Sequence, residues 1–356
     1  MNHPKISHLQ KKIKACAQLF YHTVINPKAF PFWAYINLTR GCNLSCPYCY
    51  VLDNGSIDMS VADVLGIINK LSELHTQWVS FTGGEPTLVK DTLLSGIEHA
   101  SLRKKMFTQL PTNGYLLDES YLMLLGETGL DLLDISLDTL EKSHSQKGLE
   151  DRQPEMFESV IKARSQYHFV VKVNTVITRE NLHKISDLLN FTGSHGILLS
   201  VRLGSISPLP QPFPTSNDAH LLKSADLEEI RAVVRLLKSA KINGFLITEP
   251  FSYFDLWEKF ITSPKEMSWG CEASTYNLNF DPDGMLRLCN NLPVKEGLLP
   301  LHYSELTKDY YKVLKEPIET FKKQCQPDCL VAAYFCSHYY RKHPLHFMSD
   351  RFFSRY

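Results

Sequence analysis

Three cysteines stand close together in Cys42-Asn-Leu-Ser-Cys46-Pro-Tyr-Cys49. Three thiolates at this spacing can bind three irons of a cubane iron–sulfur cluster and leave the fourth iron open to a ligand. A structural zinc site is the alternative, and it needs a fourth ligand. No histidine lies between His22 and His75, so that ligand would come from a distant segment. Of the nine cysteines, five more fall in a second group at Cys271, Cys289, Cys325, Cys329 and Cys336, where zinc is again the alternative to a cluster. Cys16 stands apart and reads as a buried helix cysteine. An odd count in two tight groups makes a poor disulfide framework, which points to reduced thiols and a cytoplasmic location.

Other polar residues recur at the ends of strand-like runs. Gly83-Gly84-Glu85-Pro86 follows one run, Thr112-Asn113-Gly114 a second, and Ser136-Leu137-Asp138 closes a third. Ser136 and Asp138 share a face of an extended strand, as do Lys172 with Asn174 and Ser200 with Arg202. A packed barrel interior is apolar. Inward polar pairs therefore predict a solvated or ligand-filled cavity, with a helix-covered polar face as the alternative.

These residues need a frame. Strands are expected at 33–38, 78–82, 106–110, 132–136, 169–176 and 197–203, with helices near 60–74, 90–100, 118–128, 154–166 and 180–192. Strand–helix units in succession predict an α/β fold with a parallel sheet. Six units are too few for a closed eight-unit barrel, so a partial (β/α)6 TIM-like barrel is expected, with its chemistry at the C-terminal strand ends. Residues 1–32 form an N-terminal helical segment. Its helix over 8–25 carries Leu9, Ile13, Cys16, Phe20 and Val24 on one face, expected to pack on the core, with lysines opposite. Membrane-surface docking of that face is the minority expectation. Gln18 and His22 interrupt the apolar stretch, and no small-residue cleavage site follows, so it is not a signal peptide. The barrel covers 33–204. Residues 205–269 supply a proline-rich linker, a helix near 225–241 and a short strand at 245–248. Residues 270–340 carry the second cysteine group, and 341–356 form an aromatic, basic tail.

The whole chain has 356 residues, with 38 Lys plus Arg against 38 Asp plus Glu. Zero formal charge removes the electrostatic basis for broad nucleic-acid binding. No apolar run approaches the length of a membrane span.

The spacing Cys-x3-Cys-x2-Cys with Tyr48 before the last cysteine resembles the radical S-adenosylmethionine (radical SAM) superfamily. Gly83-Gly84-Glu85-Pro86, Ser136 with Asp138, and Asn174 lie where that family places its SAM-binding groups. The resemblance implies a [4Fe–4S] cluster on Cys42, Cys46 and Cys49, with SAM chelating the open iron. Gly83, Gly84 and Glu85 would meet the methionine amino group, Ser136 and Asp138 the ribose, and Tyr48 the adenine through its backbone. Asn113, Asn174 and Arg202 are further candidates, although 196–204 departs from the family's usual sixth-strand pattern. The implied activity is reductive cleavage to methionine and a 5′-deoxyadenosyl radical, which abstracts a substrate hydrogen. An electron donor such as flavodoxin or ferredoxin is implied.

Cys271-x12-Gly284-x4-Cys289 fits the element that opens the auxiliary-cluster domains called SPASM and twitch. Asp281-Pro282-Asp283-Gly284 predicts a hairpin turn between strands 276–280 and 285–288. Five cysteines suit one auxiliary [4Fe–4S] cluster, although Cys325-x3-Cys329-x6-Cys336 departs from the usual SPASM tail. Auxiliary-cluster enzymes of this kind include peptide maturases, sulfatase-maturing enzymes and small-molecule tailoring enzymes. Peptide is the first expectation for the substrate, with a small molecule, sugar or lipid precursor as the alternative. The short segment before the first strand is too small for a winged-helix leader-binding domain. The terminal Arg355-Tyr356, in place of Gly-Gly, disfavours the first enzyme of molybdenum cofactor synthesis. A non-catalytic iron–sulfur redox protein is the alternative of a different class. It has no need of Glu85, Ser136 and Asp138.

Overall fold

The computed structural model describes residues 4–25, 30–49, 57–143, 147–151, 155–204, 222–267, 269–290, 292, 298–325 and 329–348. Six parallel strands build the barrel wall: β1 (Trp33–Asn37), β2 (Trp78–Thr82), β3 (Phe107–Thr112), β4 (Leu132–Ser136), β5 (Val170–Ile177) and β6 (Leu198–Leu203). Helices α2 (Val61–Glu73), α3 (Lys90–Glu98), α4 (Glu119–Glu127), α5 (Met156–Tyr167) and α6 (Ile185–Ser194) cross between them. Local chemistry starts two of these helices. Ser60 accepts the Asp63 amide at 3.1 Å at the head of α2, and Asp118 accepts that of Tyr121 at 2.7 Å at the head of α4. Such caps satisfy amides that have no partner within the helix.

Residues of one parity line the barrel in layers. At the base are Trp33, Trp78, Phe107, Leu132, Val170 and Leu198, which share an aromatic and aliphatic cluster with Phe30, Phe32, Tyr276 and Phe347. One step up, strand register brings Tyr35 to Ser80 and Asp134 to Lys172. Another step brings Asn37 to Thr82 and Ser136 to Asn174. The interior is thus dry at its floor and polar above it. The opposite parity is apolar and packs under the helices.

After β6 come α7 (Leu227–Ile242), α8 (Phe251–Asp255) and α9 (Trp257–Thr262). The strand expected at 245–248 is a single parallel bridge, Leu199 with Ile247. Too few residues run beside β6 there to form a ladder. The hairpin is present as β7 (Asn277–Phe280) and β8 (Met285–Arg287), turning at Gly284 with φ +81°, and β9 (Leu298–His302) follows. β7 pairs in parallel with β1, so the nine strands form one sheet ordered β6-β5-β4-β3-β2-β1-β7-β8-β9. Helices α10 (Tyr310–Cys325), α11 (Ala332–Lys342) and α12 (Pro344–Met348) close the chain. Along α11, Tyr334 and Ser337 donate to Asn279 and Asn277 of β7, and Tyr340 donates to Thr248 beside β6. That helix bridges the open side of the barrel.

The N-terminal helix α1 (Pro4–Phe20) forms and runs into a π-turn at Tyr21–Ile25, but with its faces reversed. Ala15 and Leu19 are buried on the barrel base, whereas Leu9, Ile13, Phe20 and Val24 are exposed and Cys16 is half-buried. Lys11 decides the rotation. Its Nζ is buried between both oxygens of Asp131 (2.8 and 2.7 Å) and Ser101 Oγ (2.8 Å). A buried carboxylate without its cation is costly, so the lysine face turns inward. The proline-rich linker and the tail beyond Met348 lie outside the described residues.

Candidate active site at the cysteine loop

The cysteine loop leaves the C-terminal end of β1 and is fastened at once to the turn after β2. Gly84 N–H donates to Thr39 O and Glu85 N–H to Gly41 O, both at 2.8 Å. The two glycines are required by contact. A Cβ on Gly83, which sits at φ +142°, would lie 2.4 Å from Thr39 O, and one on Gly84 would lie 2.0 Å from Gly41 O. Backbone on backbone at this distance admits no side chain.

The Cys42 thiol is half-buried, which pushes its pKa up; the Leu44 amide opposes this, and Glu85, Cys49 and Cys46 push it further. Cys42 therefore lies within electrostatic reach of Cys46, Cys49 and Glu85. Among the described residues no group of three His, Cys, Asp or Glu gathers closely enough for one metal ion. A cubane spreads its cysteines over different irons and relieves the mutual repulsion of three thiolates. This donor set fits such a cluster.

Glu85 is buried and already busy. It accepts hydrogen bonds from Thr87 N (3.1 Å), Thr87 Oγ1 (2.5 Å), Thr112 Oγ1 (2.7 Å) and Asn113 N (2.7 Å). Burial raises its pKa, and these bonds oppose the rise. Asn113 in turn donates through Nδ2 to Asn43 Oδ1 at 2.7 Å. Glu85 thus ties the ends of β2 and β3 together beneath the cysteine loop.

Asp138 is also buried, and it accepts from Val176 N (2.9 Å), Lys147 N (3.3 Å) and the hydroxyl of Tyr48. Lys147 donates to the same hydroxyl at 2.9 Å and lies over the Tyr48 ring. Burial, then the Asp138 charge, pushes the Tyr48 hydroxyl well above the usual tyrosine range. Asp138 therefore orients Tyr48, which carries the loop between Cys46 and Cys49. Ser136 and Asn174 face the lumen side by side, and Asn174 Oδ1 is buried with no hydrogen-bond partner among the described residues. An orphaned acceptor at this mouth fits a polar ligand such as SAM.

Arg202 lies deeper. Burial lowers its pKa, but Asp134 and Glu249 outweigh this and hold it above the usual arginine value. Lys172 pairs with Asp134 at 2.8 Å, and Gln109 donates to the same oxygen at 2.8 Å. Glu249 accepts from Ser200 Oγ at 2.6 Å and Val201 N at 3.1 Å. Sequence reasoning missed Lys147, Asp134 and Glu249. Asp134 shares the parity of Ser136 and was findable; Lys147 and Glu249 sit on connections with no periodic signal.

Of the second cysteine group, Cys271 precedes β7, Cys289 follows β8, Cys329 precedes α11 and Cys336 stands within it. Cys271 O accepts Lys322 Nζ at 2.7 Å, and Cys329 O accepts Trp269 Nε1 at 2.8 Å. Burial pushes the Cys271 thiol up, opposed by the Lys322 charge. Cys289 lies beside Tyr334, and Cys336 within reach of Arg202 and Tyr253. The Cys325 side chain lies outside the described residues.

A three-thiol loop at the mouth of a parallel half-barrel defines the class of the site. Residues 36–192 match the radical SAM superfamily, and this match supports an enzyme with radical chemistry. The match implies a [4Fe–4S] cluster and SAM as cofactors. Two relatives stand beside it. A probable GTP 3′,8-cyclase of Methanothermobacter thermautotrophicus is 26% identical over 71% of this chain and 82% of its own length. A PqqA peptide cyclase of Bradyrhizobium diazoefficiens is 29% identical over 46% of this chain, which spans only 43% of that relative's length. Among solved structures, Streptococcus suis SuiB bound to S-adenosylmethionine superposes with a TM-score of 0.63 at 19% identity, covering 89% of this chain and 75% of that one. The anSMEcpe structure with bound AdoMet and the Cp18Cys peptide gives 0.58 at 20%, covering 90% and 98%. These two establish the likeness of fold.

Proposed function

We propose that the chain holds its [4Fe–4S] cluster on Cys42, Cys46 and Cys49 and binds SAM between the Gly83–Glu85 turn and the lumen-facing Ser136 and Asn174, to modify a peptide. When bound, cluster and SAM supply the 5′-deoxyadenosyl radical that abstracts a substrate hydrogen. The chain's own part is positional. Glu85 fixes the turns under the loop, Asp138 and Lys147 hold Tyr48, and the hydrophobic floor excludes water from below.

The observation that carries the substrate class is the lumen's charge balance. Lys172 and Arg202 each face carboxylates, Asp134 and Glu249, while Ser80 Oγ and Asp134 Oδ1 are buried without hydrogen-bond partners among the described residues. A triphosphate needs an excess of cation. A neutral or zwitterionic peptide needs paired charges and spare hydrogen-bonding groups, and these are present. The peptide named with the cyclase relative and the one in the anSMEcpe complex support this class. We assign a second, auxiliary [4Fe–4S] cluster to four of Cys271, Cys289, Cys325, Cys329 and Cys336, and a reducing, cytoplasmic compartment to the whole. Anaerobic reconstitution tests the proposal. About eight irons per chain, four for each cubane, are expected. So is 5′-deoxyadenosine after dithionite and SAM, with its yield raised by peptide rather than GTP. About four irons would remove the auxiliary cluster, and iron without SAM cleavage would favour an electron carrier.

A further inference from the structure

Four apolar side chains on one face of α1 and the π-turn that continues it are turned outward, while Cys16 between them is half-buried. Leu9, Ile13, Phe20 and Val24 are 58, 62, 48 and 54% exposed and recur at helical spacing. The helix cannot roll to hide them, because Lys11 on the opposite face is locked to Asp131 and Ser101. At 100° per residue, Lys12 and Lys14 stand roughly 100° to either side of Ile13, at the two margins of the apolar stripe. The stripe continues onto the neighbouring π-turn His99–Arg103: Lys14 Nζ donates to Lys104 O at 3.2 Å, and Leu102 there is 39% exposed. Arg103, Lys104 and Lys105 extend the basic margin.

We propose that this face docks on an anionic membrane surface, with α1 lying in the headgroup–acyl boundary. Its apolar stripe enters the bilayer while the flanking lysines reach back to lipid phosphates. The charge pattern selects this occupant. A second copy packed by two-fold symmetry would bring the same five cations against themselves. The chain's own tail carries Arg351 and Arg355 against a single Asp350, and so repels the same margin. No described helix is long and apolar enough to cross a membrane. Docking is therefore peripheral. Because α1 covers the barrel base, the cysteine loop at the opposite strand ends would face water. The inference does not rest on the proposed peptide chemistry.

Co-sedimentation of the reconstituted full chain with vesicles tests it, comparing phosphatidylcholine alone with a mixture containing about a third phosphatidylglycerol. Binding is expected only with the anionic lipid, weakening as salt rises. An I13S/F20S variant should bind ~10-fold or more weakly at an unchanged melting temperature, since both side chains are already exposed. Three results would each overturn the proposal. The wild type could stay in the supernatant at low salt, or the variant could sediment as well as the wild type. Lastly, the wild type could self-associate without vesicles and be dispersed by the same two substitutions, which would make this face a self-interface.

Discussion

Glu85 accepts four hydrogen bonds on two oxygens, so replacing one oxygen by an amide nitrogen turns an acceptor toward a donor. Glu85→Gln is expected to cost about 1–3 kcal/mol of stability, the range for leaving a buried group unsatisfied. In calorimetry this appears as a lower melting temperature. SAM binding by titration should fall while iron content holds, because no thiol is touched. An unchanged SAM affinity would remove Glu85 from the binding site. Tyr48→Phe makes a narrower cut, deleting only the hydroxyl shared by Asp138 and Lys147. About 1 kcal/mol in urea unfolding is expected; no change would mean the bond adds nothing to the loop. The thiols and Gly83-Gly84-Glu85 were legible because their meaning lies in short spacing. Asp138 was legible as a polar residue at a strand end. Its grip on Tyr48 was not, since that partner stands 90 positions away.

Between elements, Glu272 is the clasp that ties the segment before β7 to α11. It accepts from His338 Nδ1 (3.2 Å), Arg341 Nη1 (2.6 Å) and Thr275 Oγ1 (2.9 Å). Burial pushes its carboxyl up, but the His338 hydrogen bond and the Arg341 charge outweigh this and bring it down to about 2. A folded pKa below the unfolded value of 4.5 means stability that is present above pH 4.5 and lost as pH falls toward 2. The full difference is about 3 kcal/mol at neutral pH, at 1.36 kcal/mol per pH unit. Glu272→Gln should lose that amount and flatten the acid limb of a stability–pH curve. A variant with the wild-type slope between pH 5 and 3 would contradict it. Gly84→Ala tests the joint between the cysteine loop and β2. Its methyl would strike backbone at Gly41, so cluster incorporation should drop even where the chain folds. The strands and crossover helices were legible from period and length. The rotation of α1 was not, because that helix is apolar on two faces and the deciding carboxylate, Asp131, arrives 120 residues later.

For the whole molecule, the sequence divides into a barrel and a cysteine-rich tail, yet the backbone joins them. β7 pairs with β1 over Trp33–Ile36, and Tyr276 stacks on Phe32 with ring centroids 5.6 Å apart at 11°. Parallel pairing between segments more than two hundred residues apart leaves no local trace, so this continuity was invisible beforehand. It has an energetic consequence. Without β7, the ladder groups on one edge of β1 lose their partners, and the floor cluster loses Tyr276, Tyr340 and Phe347. Truncating large buried aromatics costs about 3–5 kcal/mol each, comparable with the roughly 5–15 kcal/mol that holds a domain folded. An exposed edge strand also invites pairing with another chain. A chain ending at Met267 should therefore aggregate, or elute without a cooperative thermal transition. The full-length protein should melt as one unit, with the β1 and β7 amides exchanging hydrogen at matching rates. A truncated form that is monomeric and melts sharply would show the barrel to be self-sufficient, and the shared sheet to be contact without coupling.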